Sequence, residues 1–237
     1  MPELLSVILL AWGAGLAAWI GGLGAHAETF PDSKLKQDIL FGIVAFGGGI
    51  LMAAVAFALL PQGKNHLSPV WVFSLFCLGG IGFCSLDVWM ARRGGSKAQF
   101  TAMVVDFMPE AMAMGAVCGV EPRLAFLLAG FIAAQNLPEG FNAYREMREQ
   151  GSSGRPILSL LLAATFLGPI AAALGYLFLE DAPIFTAGLM TIAGGGIVYL
   201  VFQDIAPKAG QQRAWTPTLG AVLGFGTGLL GSMLLHG

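Results

Sequence analysis

Eight apolar stretches, each about the length needed to cross a membrane, follow one another along this chain of 237 residues. A helix needs about 20 apolar residues to span the roughly 30 Å hydrocarbon core of a bilayer. Charged residues make up only 11% of the chain, against about 25% in an average soluble domain. We therefore predict an all-α polytopic membrane protein that forms a single transmembrane domain over residues 1–237. The predicted spans are 4–24, 39–60, 70–90, 101–120, 124–144, 157–179, 184–207 and 217–235.

The Lys and Arg residues are divided unevenly among the loops that join these spans. Only Lys64 and Arg123 lie in even-numbered loops, and the other ten of the 12 lie in odd-numbered loops. Because cytoplasmic loops are enriched in Lys and Arg, we predict that the odd-numbered loops are cytoplasmic and that both termini lie outside a cell (inner) membrane of bacterial type. The ten are Lys34, Lys36, Arg92, Arg93, Lys97, Arg145, Arg148, Arg155, Lys208 and Arg213.

The second and seventh spans share a pattern in which three glycines precede a proline. The two sequences are FGGGILMAAVAFALLP over 46–61 and AGGGIVYLVFQDIAP over 193–207, and the spans that carry them run in opposite directions. Similar sequences in opposite orientation are typical of inverted-topology repeats in transporters, whose substrate site lies near the midplane. Chance similarity is the alternative, because glycine is common wherever membrane helices approach closely.

Two Pro-Glu motifs place carboxylates in the middle of the fourth and fifth spans. Asp106 and Glu110 in the fourth span, and Gln135 and Glu139 in the fifth, are spaced i, i+4, so each pair shares one helix face. A charged side chain at that depth costs on the order of 2.5–3.5 kcal/mol and usually faces a protein interior or a water-filled cavity. Either motif alone is compatible with a proline kink beside a carboxylate that reaches the interface. Two motifs at matching depth instead predict one shared site.

The chemistry expected of that site is cation binding or proton binding. No Lys, Arg or His lies inside an apolar run to neutralise Asp106, Glu110 and Glu139, and a buried carboxyl group is stable only when protonated or paired with a cation. The amide oxygens of Gln135 and Asn136 would add to an oxygen-rich site. Oxygen ligands suit Mg²⁺, Ca²⁺ or Mn²⁺, whereas His and Cys suit zinc or copper.

Three further residues are candidates for a path or gate. Asp204 and Gln203 lie within a turn of the end of the seventh span, where Asp204 could gate the cytoplasmic mouth or be an ordinary interfacial acid. Met108 belongs to a methionine-rich fourth span that could form a path for soft metals, although methionine in an apolar helix usually serves packing.

On these residues the chain resembles the ZIP family (Zrt-, Irt-like proteins) of divalent-metal transporters. QNLPEG at 135–140 and DFMPEA at 106–111 are similar to the family's paired His-Asn-x-Pro-Glu-Gly motifs, and the resemblance covers nearly the whole chain. The resemblance implies eight helices, with inverted repeats around a central hairpin formed by the fourth and fifth. It also implies alternating access, in which one helix bundle moves against another. The metal-site residues that it implies are Asp106, Glu110, Gln135, Asn136 and Glu139.

The chain departs from that family at three positions. Asp106 stands where the family usually has His, Phe107 stands where it usually has Asn, and Pro169 falls where many members place a Glu that bridges two metals. Two divalent ions a few ångströms apart repel strongly unless anions bridge them. We therefore expect a single bound ion.

The expected function is inward transport of a divalent metal ion, which is the substrate, with zinc, iron, manganese and cadmium not distinguished. No HExxH motif and no Ser–His pair lies in the spans, so we do not expect an enzyme. The alternatives are a proton-coupled carrier of another solute and a non-transporting homologue. The expected partners are the metal ion and the lipid bilayer. No basic patch suggests a nucleic acid, and a homodimer is left open.

Overall fold

The computed structural model describes residues 2–28, 34–93, 98–179, 181–207 and 215–236, and all of its regular structure in these ranges is helical. Eight of the described segments are long and apolar enough to cross a membrane, which confirms the predicted all-α, multi-pass architecture. The helices are α1 (Pro2–Ala27), α2 (Lys34–Ala54), α3 (Leu60–His66), α4 (Pro69–Arg93), α5 (Ala98–Cys118), α6 (Pro122–Glu149), α7 (Gly154–Ala164), α8 (Leu167–Leu179), α9 (Pro183–Leu200) and α10 (Thr216–His236).

Two polar stretches that the sequence pattern assigns to loops, 61–66 and 145–156, are largely helical. α6 continues to Glu149, so the predicted loop from 145 to 156 contracts to residues 150–153. Charged side chains at a membrane surface can reach water from a helix, so the backbone has no reason to unwind there. α6 ends where Gly151 adopts a φ of 89° and Ser152 donates its N–H to the Met147 carbonyl. This left-handed glycine closes the helix in the usual way.

The two helices with the glycine–proline pattern each contain one turn of π-helix. The turns are Val55–Leu59, between α2 and α3, and Val201–Ile205, after α9. Each begins six positions before a proline, which is Pro61 in the first and Pro207 in the second. A proline lacks an N–H and crowds the carbonyl four residues earlier. A wider turn ahead of it relieves that conflict.

The sixth predicted span is divided in two. α7 ends at Ala164, α8 begins at Leu167, and the hydroxyl of Thr165 donates to the Leu162 carbonyl at 2.7 Å in the turn between them. Pro169 lies in the first turn of α8, the part of a helix where a proline displaces no hydrogen bond. The proline thus fixes where the second segment starts.

Four helix pairs share one kind of close contact. In the pair α1 and α6, Gly21 lies against the carbonyl of Leu137, and Gly140 lies against the carbonyl of Ala18. On each helix, the residue whose carbonyl is contacted therefore lies three positions before the glycine of that same helix. A Cβ at either glycine would collide with backbone, so these positions allow an approach that larger residues prevent. The equivalent glycines are Gly115 and Gly175 in α5–α8, Gly49 and Gly224 in α2–α10, and Gly79 and Gly195 in α4–α9.

These pairs assemble into two groups of helices. Contacts of α5 with α6 and of α1 with α8 join the first group, which also includes α7. The second group contains α2, α3, α4, α9 and α10, joined where α9 contacts α3 and the π turn after α2. The groups meet where α2 contacts α6 and α5 contacts α9. The two Pro-Glu motifs, on α5 and α6, therefore lie at the boundary between the groups.

Candidate cation site

A cavity of about 40 Å³ lies at the boundary between the two helix groups. Its polar lining consists of Asp106 from α5 and Gln135, Glu139 and Asn142 from α6. α2 and α9, with the π turn that follows α9, contribute a mostly apolar wall. A single water needs about 10–15 Å³ of such space. The cavity therefore has room for an ion together with one or two waters.

Asp106 is the most unusual group in this cavity. Its side chain is only 1% exposed, and neither carboxylate oxygen has a hydrogen-bond partner among the described residues. A buried carboxylate without a partner is strongly destabilising, since nothing replaces the water it has lost. This side chain therefore requires a proton or a cation in the cavity beside it.

Glu110 lies one helical turn from Asp106 and is held by a different contact. The amide nitrogen of Gln135 donates to the Glu110 carboxylate at 2.6 Å, and both side chains are buried. Asp106 and Glu139 are close enough to Glu110 to interact with it electrostatically. Glu110 is thus held behind the cavity lining by Gln135, which itself lines the cavity together with Asp106 and Glu139.

Asn136 and Phe107 point away from the cavity, toward the interior of the first helix group. Asn136 is buried and donates its amide nitrogen to the carbonyl of Ala14 at 3.1 Å, which ties α6 to α1. The ring of Phe107 lies against Gly15 of α1 and Gly168 of α8, where a Cβ at Gly168 would collide with it. Each of these two residues, next in sequence to a residue that lines the cavity, therefore holds helices together.

Asn142 lines the cavity but was not among the residues predicted from the sequence. It follows Glu139 by three positions and Gln135 by seven, a spacing that places all three on one face of α6. The signal was therefore available in the helical period. It was missed because Asn142 lies outside the Pro-Glu motif that drew attention to this helix.

Two of the three residues predicted for a path or gate, Met108 and Gln203, lie outside the described lining of the cavity. Met108 is 38% exposed on the outer face of α5, and Gln203 is exposed in the π turn after α9. The side chain of Asp204 lies outside the part of the chain that the structure describes.

The described lining of the cavity extends from Asp106 toward one end of the helix bundle. Its lining continues from Asp106 to Ala102 and from Glu139 to Asn142, which is the direction of the ends of α5 and α6 at residues 98 and 149. The other direction is filled by apolar side chains that are at most 1% exposed, namely Leu59, Met114, Ile132 and Met190. The cavity therefore lies nearer to the ends of α5 and α6 at residues 98 and 149 than to their other ends.

No group of three or more His, Cys, Asp or Glu side chains that could hold a metal ion is found in the described part of the chain. A cation in this cavity would therefore need the amide oxygens of Gln135 and Asn142 in addition to carboxylates. Comparison of the chain with protein-family models and with curated proteins found no match. The chemistry of the site has to be inferred from its own residues.

Proposed function

We propose that this chain is a transporter of a divalent cation, similar to the ZIP family, which carries one ion through the cavity between its two helix groups. The observation that carries the proposal is the Asp106 carboxylate, which is buried in mid-span, lacks a hydrogen-bond partner among the described residues and faces a cavity. A charged group in that position is expensive. A cation that passes through the cavity would balance the charge of the Asp106 carboxylate.

The helix pairing supports an inverted repeat. Such a repeat relates the first three spans to the last three, and the fourth span to the fifth. This relation converts the pair α1–α6, in spans one and five, into the pair α8–α5, in spans six and four. It also converts the pair α2–α10, in spans two and eight, into the pair α9–α4, in spans seven and three. All four of these pairs have the reciprocal glycine contact, and both members of the exchanged pair α2 and α9 lead into a π turn. Transporters with such repeats bind their substrate near the midplane, between the repeats.

The direction of the cavity supports inward release. It extends toward the helix ends that the odd-numbered loops connect, where ten of the 12 Lys and Arg residues lie. By the positive-inside rule this side is cytoplasmic. The conformation is then inward-facing, and the ion enters from outside when the two helix groups shift and open the apolar seal at Leu59 and Met190.

Uptake into proteoliposomes that contain a metal-sensitive dye tests the proposal. Asp106→Asn and Glu139→Gln each remove one cavity-facing charge with little change in volume, and we expect both to abolish uptake. Glu149→Gln is the control, because that side chain is 70% exposed at the end of α6. Metal-independent proton flux through the unaltered protein would favour the proton-coupled carrier. Absence of any flux, in protein that is folded and correctly inserted, would favour the non-transporting homologue.

A further inference from the structure

We propose that the cargo of this site is a hard divalent cation such as Mn²⁺ or Mg²⁺, bound through oxygen atoms alone, rather than Zn²⁺ bound through nitrogen or sulfur. The inference rests on the proposed transport function and adds the class of ion to it. It follows from the identity of the donor atoms that face the cavity, from the position of the nitrogen and sulfur donors elsewhere, and from the size of the cavity.

The polar groups that face the cavity offer oxygen. Asp106 and Glu139 contribute carboxylates, and Asn142 contributes an amide. Gln135 has its amide nitrogen engaged by Glu110, while its Oε1 is buried without a hydrogen-bond partner. That oxygen therefore remains available to a cation. Carboxylate and amide oxygens are the ligands that Mg²⁺, Ca²⁺ and Mn²⁺ prefer.

The described histidine side chains make their hydrogen bonds outside the cavity. His26, at the end of α1, makes a 2.5 Å hydrogen bond with the hydroxyl of Tyr144. His66, at the end of α3, makes a 3.0 Å hydrogen bond with the carbonyl of Gln62. Zinc sites in proteins are typically built from His and Cys. Neither imidazole belongs to the described lining of the cavity.

Sulfur reaches the cavity only through Met103 among the described lining residues. Cys77 and Cys84 lie on α4, and Cys118 lies at the far end of α5. A methionine thioether is a soft, uncharged ligand that suits Cu(I). It cannot stand in for the thiolate or imidazole ligands of a zinc site. Met103 is thus the one donor whose contribution needs a direct test.

The size of the cavity fits hydrated, octahedral coordination. Four side chains, Asp106, Gln135, Glu139 and Asn142, supply oxygens, and about 40 Å³ leaves room for one or two waters. Mg²⁺ keeps part of its water shell when proteins bind it, and Mn²⁺ shares its preference for six oxygens. Asp106 and Glu139, when both are ionised, match the charge of one such ion.

Metal binding by the purified full-length chain tests the inference. Bound Mn²⁺ is measured as the loss of the free aquo-ion signal in electron paramagnetic resonance, and Zn²⁺ and Mg²⁺ are added as competitors. Oxygen ligands discriminate weakly between Zn²⁺ and Mn²⁺, so we expect the two affinities to lie within about tenfold of each other. Mg²⁺ should displace Mn²⁺ competitively.

Two matched substitutions of Asp106 isolate the effect of the donor atom. Asp106→Asn removes the charge and keeps an oxygen, whereas Asp106→His removes the same charge and supplies a nitrogen. We expect Asp106→His to raise the ratio of Zn²⁺ to Mn²⁺ affinity by at least about tenfold over Asp106→Asn. Met103→Leu should leave the ratio within about twofold of that of the unaltered protein.

The outcomes separate this inference from the function on which it rests. An unaltered protein that takes up divalent ions but binds Zn²⁺ more than about a hundredfold tighter than Mn²⁺ overturns the inference and leaves transport intact. Equal affinity ratios in Asp106→Asn and Asp106→His, or a selective loss of Zn²⁺ binding in Met103→Leu, also overturn it. A folded protein that binds no divalent cation at all overturns the proposed function itself.

Discussion

Gln135 donates its amide nitrogen to the carboxylate of Glu110 at 2.6 Å, across the hairpin formed by α5 and α6. The two residues belong to different Pro-Glu motifs, and both are buried. The hydrogen bond satisfies one oxygen of a carboxylate that has lost its water. It therefore joins the two motifs directly, through an amide side chain that also lines the cavity.

Exchanging these two partners should preserve the hydrogen bond that Gln135→Leu or Gln135→Glu alone disrupts. Gln135→Leu leaves the buried Glu110 carboxylate without its donor, which we expect to cost about 1–3 kcal/mol and to lower the Tm in detergent. Gln135→Glu alone places two carboxylates in contact. The double variant Glu110→Gln with Gln135→Glu restores one amide and one carboxylate. A double variant no more stable than Gln135→Glu alone would contradict this account of the bond.

Replacing Gly140 by Ala should break the close contact between α1 and α6. A Cβ at Gly140 would collide with the backbone carbonyl of Ala18, which cannot yield as a flexible side chain can. We expect loss of the monodisperse peak in size-exclusion chromatography and a lower Tm. Gly130→Ala on the same helix is the matched control, because a Cβ there meets nothing within 4 Å. It should be neutral or stabilising by up to about 1 kcal/mol, since alanine is the better helix former.

The helices themselves could be predicted from the sequence, because a membrane leaves little choice of backbone. In hydrocarbon every N–H and C=O has to be bonded within the segment, so a run of about 20 apolar residues becomes a helix almost regardless of its detailed sequence. The same reasoning identified Asp106 and Glu139 as facing a site, since a mid-span carboxylate has few other stable positions. The structure confirms the helices and places Asp106 and Glu139 in the lining of one cavity, while a cation site there stays a prediction.

What could not be predicted depends on contacts between helices. The i, i+4 spacing gave Glu110 the same face as Asp106, but only the packing of α5 on α6 determines that Glu110 bonds Gln135 instead of lining the cavity. Likewise, the sequence offers 34 glycines, and nothing local distinguishes Gly140, which touches a partner backbone, from Gly130, which does not.

Cysteine labelling in intact cells should report the orientation of the helices. We expect Ser153→Cys, between α6 and α7, to be protected from an impermeant thiol reagent, because the positive-inside rule places that end in the cytoplasm. Asn65→Cys, exposed near the end of α3, should be labelled. Both variants are made in a background without Cys77, Cys84 and Cys118. Labelling of position 153 together with protection of position 65 would reverse the orientation and the direction of the cavity.

The saturated protein should hold one divalent ion per chain at this site. Phe107, which follows Asp106 in the sequence, is buried with its ring against Gly15 and Gly168, and it offers no oxygen ligand for a second ion. Pro169, beside Gly168, has no side-chain ligand to bridge two metals. Two dications a few ångströms apart in a low-dielectric interior repel each other strongly unless shared anions separate them. Anomalous scattering at the manganese edge from crystals grown in saturating Mn²⁺ should therefore give a single strong peak near Asp106 and Glu139. Two fully occupied peaks between α5 and α6 would refute single-ion occupancy.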